Sequence, residues 1–223
     1  LINQLMEWVK PFFILLEHGV GDWGLAVILF TVLVRLCLIP FSRRQSDFAV
    51  KQYLFSQQMA ELKERMQGNQ EKMAEEMAKM MQEKGFNPLG MLTTVVIQAP
   101  IFMTVYALFR HLGPTAHSVL VPWVSSIGLP DPLMILPIVV AILSGLLSKI
   151  TLIPGDLTTS SSPSHFSFYL ITGVSLLILW SAPVAISLYY CTSSLWGAFE
   201  RILWRKRVRK QIEQEGLQTS VSV

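Results

Sequence analysis

The chain has 223 residues, 52% of them hydrophobic and 15% charged, with a net charge of +3. Its mean hydropathy of +0.47 and its clustered charges exclude an ordinary soluble domain and point to an all-α integral membrane protein. The two cysteines, Cys37 and Cys191, both fall in apolar stretches, which suggests neither a disulfide scaffold nor a metal site, and no cofactor is expected.

Residues 1–20 place Leu5, Trp8, Val9, Phe12, Phe13 and Leu16 on one helical stripe, with Pro11 expected to bend it. Charges at Glu7, Lys10 and Glu17 argue against a membrane span. The stretch also lacks the basic start and small-residue cleavage site of a signal peptide. It reads as an N-terminal amphipathic helix on the extracytoplasmic interface.

Residues 21–41 form the first span, with about the 20 residues a bilayer core requires. Arg35 lies inside it. A guanidinium stays charged at any accessible pH, and at a helix centre it costs about 2.5–3.5 kcal/mol on insertion scales. Two readings stay open. Only about 9 Å of helix rise separates Arg35 from the end of the span, so the side chain can snorkel to the interface, or it can serve a polar purpose within the membrane. Thr31 lies on the same face one turn earlier.

Residues 42–87 are rich in good helix formers and contain one strong breaker, Gly68-Asn69. They read as a cytoplasmic helical hairpin with arms near 44–67 and 70–84. Six of the ten methionines sit here: Met59, Met66, Met73, Met77, Met80 and Met81. They either pack the seam between the arms or offer an adaptable surface to hydrophobic segments.

The second span, 88–109, carries Gln98 two residues before Pro100, which frees backbone groups nearby. An extracytoplasmic loop (110–131), a third span (132–148) and a cytoplasmic loop (149–165) follow. The fourth and fifth spans, 166–180 and 183–203, are joined only by Ser181, Ala182 and Pro183, so a tight turn is expected. Residues 204–223 form a basic tail. Most Ser and Thr residues in the spans are assigned to interhelical hydrogen bonding. Arg35, Thr31 and Gln98 together can line a hydrated cavity, and with no carboxylate partner assigned, water or an incoming acidic group is expected at Arg35. With the first span ending inside, fifteen Lys and Arg lie on the cytoplasmic side against two outside, Lys10 and Arg110. That bias sets the N-terminus out and the C-terminus in.

The blocks DWGLAVILFTVLVRLCLIPF, NPLGMLTTVVIQAPIFMTVYALF, DPLMILPIVVAI and LLILWSAPVAISLYYCTSSLWGAFE, with the charged hairpin between the first two, resemble the YidC/Oxa/Alb family of membrane protein insertases. The resemblance runs from about Trp8 to Arg207 and fits a gram-positive-type bacterial YidC, since the gram-negative members' extra anchor and large periplasmic domain are not seen. It implies a five-helix membrane core with a groove open to cytoplasm and lipid but closed to the outside. It places the substrate groove on Arg35, Thr31, Gln98, Trp180 and Tyr190, and implies a mobile hairpin needed for activity. The family's asparagine after the fifth-span tyrosines is replaced here by Thr192-Ser193-Ser194. Implied partners are newly made membrane proteins, membrane lipid, the ribosome and the Sec translocon, with the monomer as the working unit in the plasma membrane.

The function expected is therefore an insertase or chaperone that captures hydrophilic tails of small membrane proteins and releases their apolar helices into lipid. Arg205, Lys206, Arg207, Arg209 and Lys210 in the tail have two readings, a lipid-headgroup anchor or a ribosomal RNA contact. The alternative class is a small transporter or channel, disfavoured because five spans do not divide into two inverted repeats. An enzyme is not expected, since no zinc-type histidine–glutamate motif occurs and the four histidines sit near interfaces or loops.

Overall fold

A computed structural model describes residues 2–65, 75–76, 79, 93–112, 115–153 and 165–221. They form seven helices: α1 (Ile2–Val20), α2 (Trp23–Cys37), α3 (Ile39–Arg65), α4 (Thr93–Leu112), α5 (Ile135–Ser148), α6 (His165–Leu179) and α7 (Val184–Val221). No strand occurs among the described residues; an isolated bridge pairs Pro130 with Pro183.

The first bend follows from two residues. Gly21 takes a left-handed φ of 71°, a conformation that ends helices and suits a residue without Cβ. Asp22 is extended and accepts from the Leu25 amide at 2.8 Å, capping α2. The axes of α1 and α2 differ by 119° across this bend. Helix α1 continues through Pro11, and the expected stripe divides between two environments. Phe13 is 0% exposed and packs on Phe30 (ring centroids 4.4 Å apart) and Phe109 (5.5 Å). Trp8, 82% exposed, points away from the protein.

Residues 115–134, between α4 and α5, form a cap on the end of the bundle where α2, α5 and α7 begin. Ile127 is fully buried; its amide donates to the Ala116 carbonyl, and its carbonyl accepts from Ala185 at the start of α7. Asp22 ties the cap to α2 by accepting from the Ser118 hydroxyl (2.9 Å) and the Val119 amide (2.7 Å). Met134, at the head of α5, holds a left-handed φ of 56°, which strains an L side chain. The buried Asp131 supplies what Met134 cannot, accepting from Leu136 N (2.8 Å), Leu133 N (3.0 Å) and Trp123 Nε1 (3.2 Å). Asp131→Ala leaves those donors unpaired and should destabilise the protein by about 2–3 kcal/mol; thermal unfolding in detergent micelles measures it.

Helices α5 and α6 approach closely at Gly145, where an added Cβ would lie 2.1 Å from Thr172 Oγ1 and 2.9 Å from the Phe168 ring. Small residues permit this backbone contact between apolar helices. Gly145→Ala forces them apart and should cost about 1–3 kcal/mol by overpacking, read as a lowered midpoint in the same assay. A tight turn at 180–183 separates α6 from α7, with Ala182 N donating to Leu179 O and Ile186 N to Pro183 O.

Helix α7 does not stop at Leu203 but runs 38 residues to Val221. The basic tail is its last part and packs on α3, the first arm of the expected hairpin. Val50, Tyr53, Val208 and Ile212 are buried between the two. Arg207 reaches Asp47 at 3.3 Å, Gln211 meets the same carboxylate at 3.0 Å, and Ser42 donates to Glu200 at 2.9 Å. Of the second arm only Glu75, Glu76 and Lys79 are described, with Lys79 paired to Glu75 at 2.9 Å. The breaker Gly68-Asn69 and Met66, Met73, Met77, Met80 and Met81 lie outside the described residues.

Among the described residues no single helix is long and apolar enough to cross a membrane; the bent pair Met6–Val20 and Trp23–Cys37 passes together. Helices α5 and α6 are apolar but only 14 and 15 residues long. Their surfaces are apolar nonetheless. Val139, Ile142, Val174 and Leu177 are exposed while Ser144 and Ser175 are buried. That is the reverse of a water-soluble arrangement and suits a hydrocarbon surround.

Candidate functional site

Little more than one turn of α7 joins four other helices through side-chain hydrogen bonds. Arg35 of α2 donates from Nη2 to Ser193 Oγ. Gln98 of α4 donates from Nε2 to the Tyr189 hydroxyl. The Tyr190 hydroxyl and Ser175 Oγ of α6 lie 2.9 Å apart, and Ser194 Oγ lies 3.3 Å from Ser144 Oγ of α5. Residues at i and i+4 share a helix face, so Tyr189 and Ser193 look toward α2 and α4, and Tyr190 and Ser194 toward α5 and α6. Ser193 also lies against the Tyr189 hydroxyl, which extends the polar chain from Arg35 to Gln98.

Arg35 and Gln98 are half-buried. Thr31 is 1% exposed and gives its proton to the Val27 carbonyl at 2.6 Å, the usual back-bond of a helical threonine. Trp180 stands 60% exposed in the turn before α7, at the end of the bundle away from Arg35. The structure thus brings Arg35 and Gln98 to one polar cluster, seats Thr31 one turn above it, turns Tyr190 toward α6 and leaves Trp180 outside. Met59 is half-buried on α3. In the tail, Arg205, Lys206 and Lys210 are exposed, Arg207 is held by Asp47, and Arg209 pairs with Glu213 at 3.0 Å.

Arg201, two turns further along α7 than Ser193, is half-buried and anchored by donating to the Leu147 carbonyl at 3.1 Å. Glu200, a buried carboxylate, opposes this charge but is bonded to Ser42. Among the described residues no carboxylate lies within ion-pair distance of Arg35. Sequence reasoning passed over Tyr189 and Glu200, and did not single out Ser193 and Ser194 from the other Ser and Thr residues of the spans, read as interhelical glue or as cavity walls. The four-residue spacing of Tyr189 and Ser193 was the available signal.

The family model described as 60Kd inner membrane protein matches residues 15–211. The membrane protein insertase YidC of Aeromonas salmonicida (strain A449) is 26% identical over 218 residues, covering 98% of this chain and 38% of the relative. That of Haemophilus influenzae (strain PittEE) is 29% identical over 211 residues, covering 93% and 38%. The chain therefore spans well under half the length of these relatives. Among solved structures, an active YidC insertase crystal structure with the first transmembrane domain resolved aligns with a TM-score of 0.69 at 20% identity, over 88% of this chain and 45% of that one. The likeness extends to the helical fold.

Proposed function

The chain belongs to the 60Kd inner membrane protein family, the insertases of the YidC/Oxa/Alb type, and on that premise we propose that it inserts small membrane proteins by holding their hydrophilic tails at Arg35. The observation that carries this reading is a half-buried guanidinium met by a hydroxyl in place of a carboxylate. An acidic tail entering from the cytoplasmic side supplies the missing charge. A wet notch around Arg35 and Gln98 shortens the low-dielectric distance the tail crosses, which lowers the barrier set by burying polar groups. The flanking apolar helix then partitions into lipid, at about 25 cal/mol per Å² buried. A membrane potential positive outside adds about 2.3 kcal/mol per charge per 100 mV and draws an acidic tail outward.

In this reading α2, α4, α5, α6 and the first part of α7 form the membrane core, with the N-terminus outside and the C-terminus in the cytoplasm. Substrate helices leave along α4 and α6. The hydrogen-bonded cap at 115–134 closes the outer end, and α1 lies at the outer interface. Exposed Arg205, Lys206 and Lys210 face lipid headgroups or ribosomal RNA. The methionines of the hairpin, with Met59 on its described arm, either pack it or meet substrate, and the Sec translocon is a further partner.

Proteoliposomes containing the full chain test the function. They should protect the tail of an added single-span protein from external protease, where empty liposomes do not. Solute flux without any inserted protein would point to a transporter instead.

A further inference from the structure

The contact between Arg35 and Ser193 goes further than a guanidinium finding an acceptor. Ser193 is buried and sits on the α7 face that also carries Tyr189. Its hydroxyl engages Arg35 through Nη2. A guanidinium has five N–H donors in a fork that matches a carboxylate in bidentate fashion. A neutral hydroxyl supplies one acceptor atom and no charge, and hydrogen bonds to an ionised acceptor are roughly twice as strong. Ser193 therefore orients Arg35 without neutralising it, and any carboxylate reaching the same place outcompetes it. Tyr189, one turn earlier on the same face, is engaged by Gln98, and exchanging the serine for another acceptor at Arg35 requires no change in the backbone.

We propose that Ser193 is a resting-state surrogate ligand for Arg35, a specificity-determining residue that an incoming carboxylate displaces and a neutral tail does not. The proposal rests on the insertase reading above and deepens it, assigning the choice between acidic and neutral tails to the exchange of one hydroxyl for one carboxylate. The simpler role for a buried serine in a membrane bundle is interhelical glue, and it predicts a different pattern of loss.

The test compares insertion of two single-span proteins, one with an aspartate-bearing tail and its asparagine twin, into liposomes containing the full chain. Ser193→Asp places a permanent carboxylate on Arg35, so aspartate-tail insertion should fall about tenfold relative to that of the asparagine twin. Ser193→Ala frees Arg35 and should raise the aspartate-to-asparagine ratio about threefold, the scale of one neutral hydrogen bond. Ser193→Thr, which keeps the hydroxyl, should behave as the unaltered protein. Adding Ser193→Asp to Arg35→Ala should cause no further loss, because both act on one interaction. If Ser193→Ala depresses both substrates equally, or Ser193→Asp leaves aspartate-tail insertion intact, the surrogate role is overturned while the insertase reading stands. Unimpaired aspartate-tail insertion by Arg35→Ala alone would instead remove capture by Arg35, and the surrogate role with it.

Discussion

Liposomes carrying Arg35→Ala should insert an acidic-tailed single-span protein at least about tenfold more slowly than the unaltered protein, with Arg35→Lys losing clearly less. Tenfold corresponds to about 1.4 kcal/mol of barrier, a modest share of what a charge in partly desolvated surroundings can contribute. Alanine removes the charge, the fork and the bond to Ser193 together. Lysine keeps the charge on a flexible stem but lacks the planar geometry that pairs two carboxylate oxygens. Its activity therefore measures how far attraction alone suffices. Arg201 is a second half-buried cation, two turns further along α7 than Ser193, so a residual rate in Arg35→Ala is expected. Insertion at the full rate by that variant would reject direct capture for the substrate used.

Phe13→Ala should be the most damaging single change to stability, costing about 3–5 kcal/mol. The ring is fully buried and sits between Phe30 of α2 and Phe109 of α4, with Trp23 edge-on to Phe109. Truncation leaves a cavity where three helices meet and loses aromatic contacts worth about 0.5–1.5 kcal/mol each. In detergent the thermal midpoint should drop by roughly 10 °C, and α1 should become more open to proteolysis. A shift within error would mean that α1 rests on the bundle without locking it. Phe12→Ala, at a half-exposed position of the same stripe, is the control and should cost much less.

Much of this arrangement was legible in the residues themselves. Gly21-Asp22 announces the break before α2, and Ser181-Ala182-Pro183 leaves room only for a tight turn between α6 and α7. Arg35 and Gln98 stand out because each brings unmet polar demand into an apolar run, and the structure gathers both onto α7. The tyrosine pair was harder. Adjacent residues on a helix point about 100° apart, and sequence alone does not fix how α7 is rotated, so nothing distinguished Tyr189, which meets Gln98, from Tyr190, which meets Ser175.

The tail was obscured by its charge. Val208 and Ile212 are four residues apart and form an apolar stripe, yet Arg205, Lys206, Arg207, Arg209 and Lys210 around them read as a solvated segment. Only contact with Val50 and Tyr53 of α3 shows which side is buried. Asp131 escaped notice for a related reason. A lone aspartate in a loop has no sequence signature for capping a helix whose own N-cap residue is strained. The same applies to Glu200, whose partner Ser42 is 158 residues away in the chain.

The α3–α7 packing has a mechanical consequence for the proposed function. One continuous helix carries Ser193 at the polar cluster and Val208 against α3, while α3 follows α2, which carries Arg35, with only Leu38 between them. In the proposed function, a shift of α3 against α7 would therefore bear on both partners of the Arg35–Ser193 contact.

The proposed function requires water to reach the polar cluster from the cytoplasmic side alone. Membrane-impermeant maleimide labelling of Gln98→Cys, in a protein with Cys37 and Cys191 changed to serine, measures this in vesicles of both orientations. Modification from the inner face, with none from the outer, is the predicted result. A thiol protected from both faces, or modified from the outer one, would contradict it.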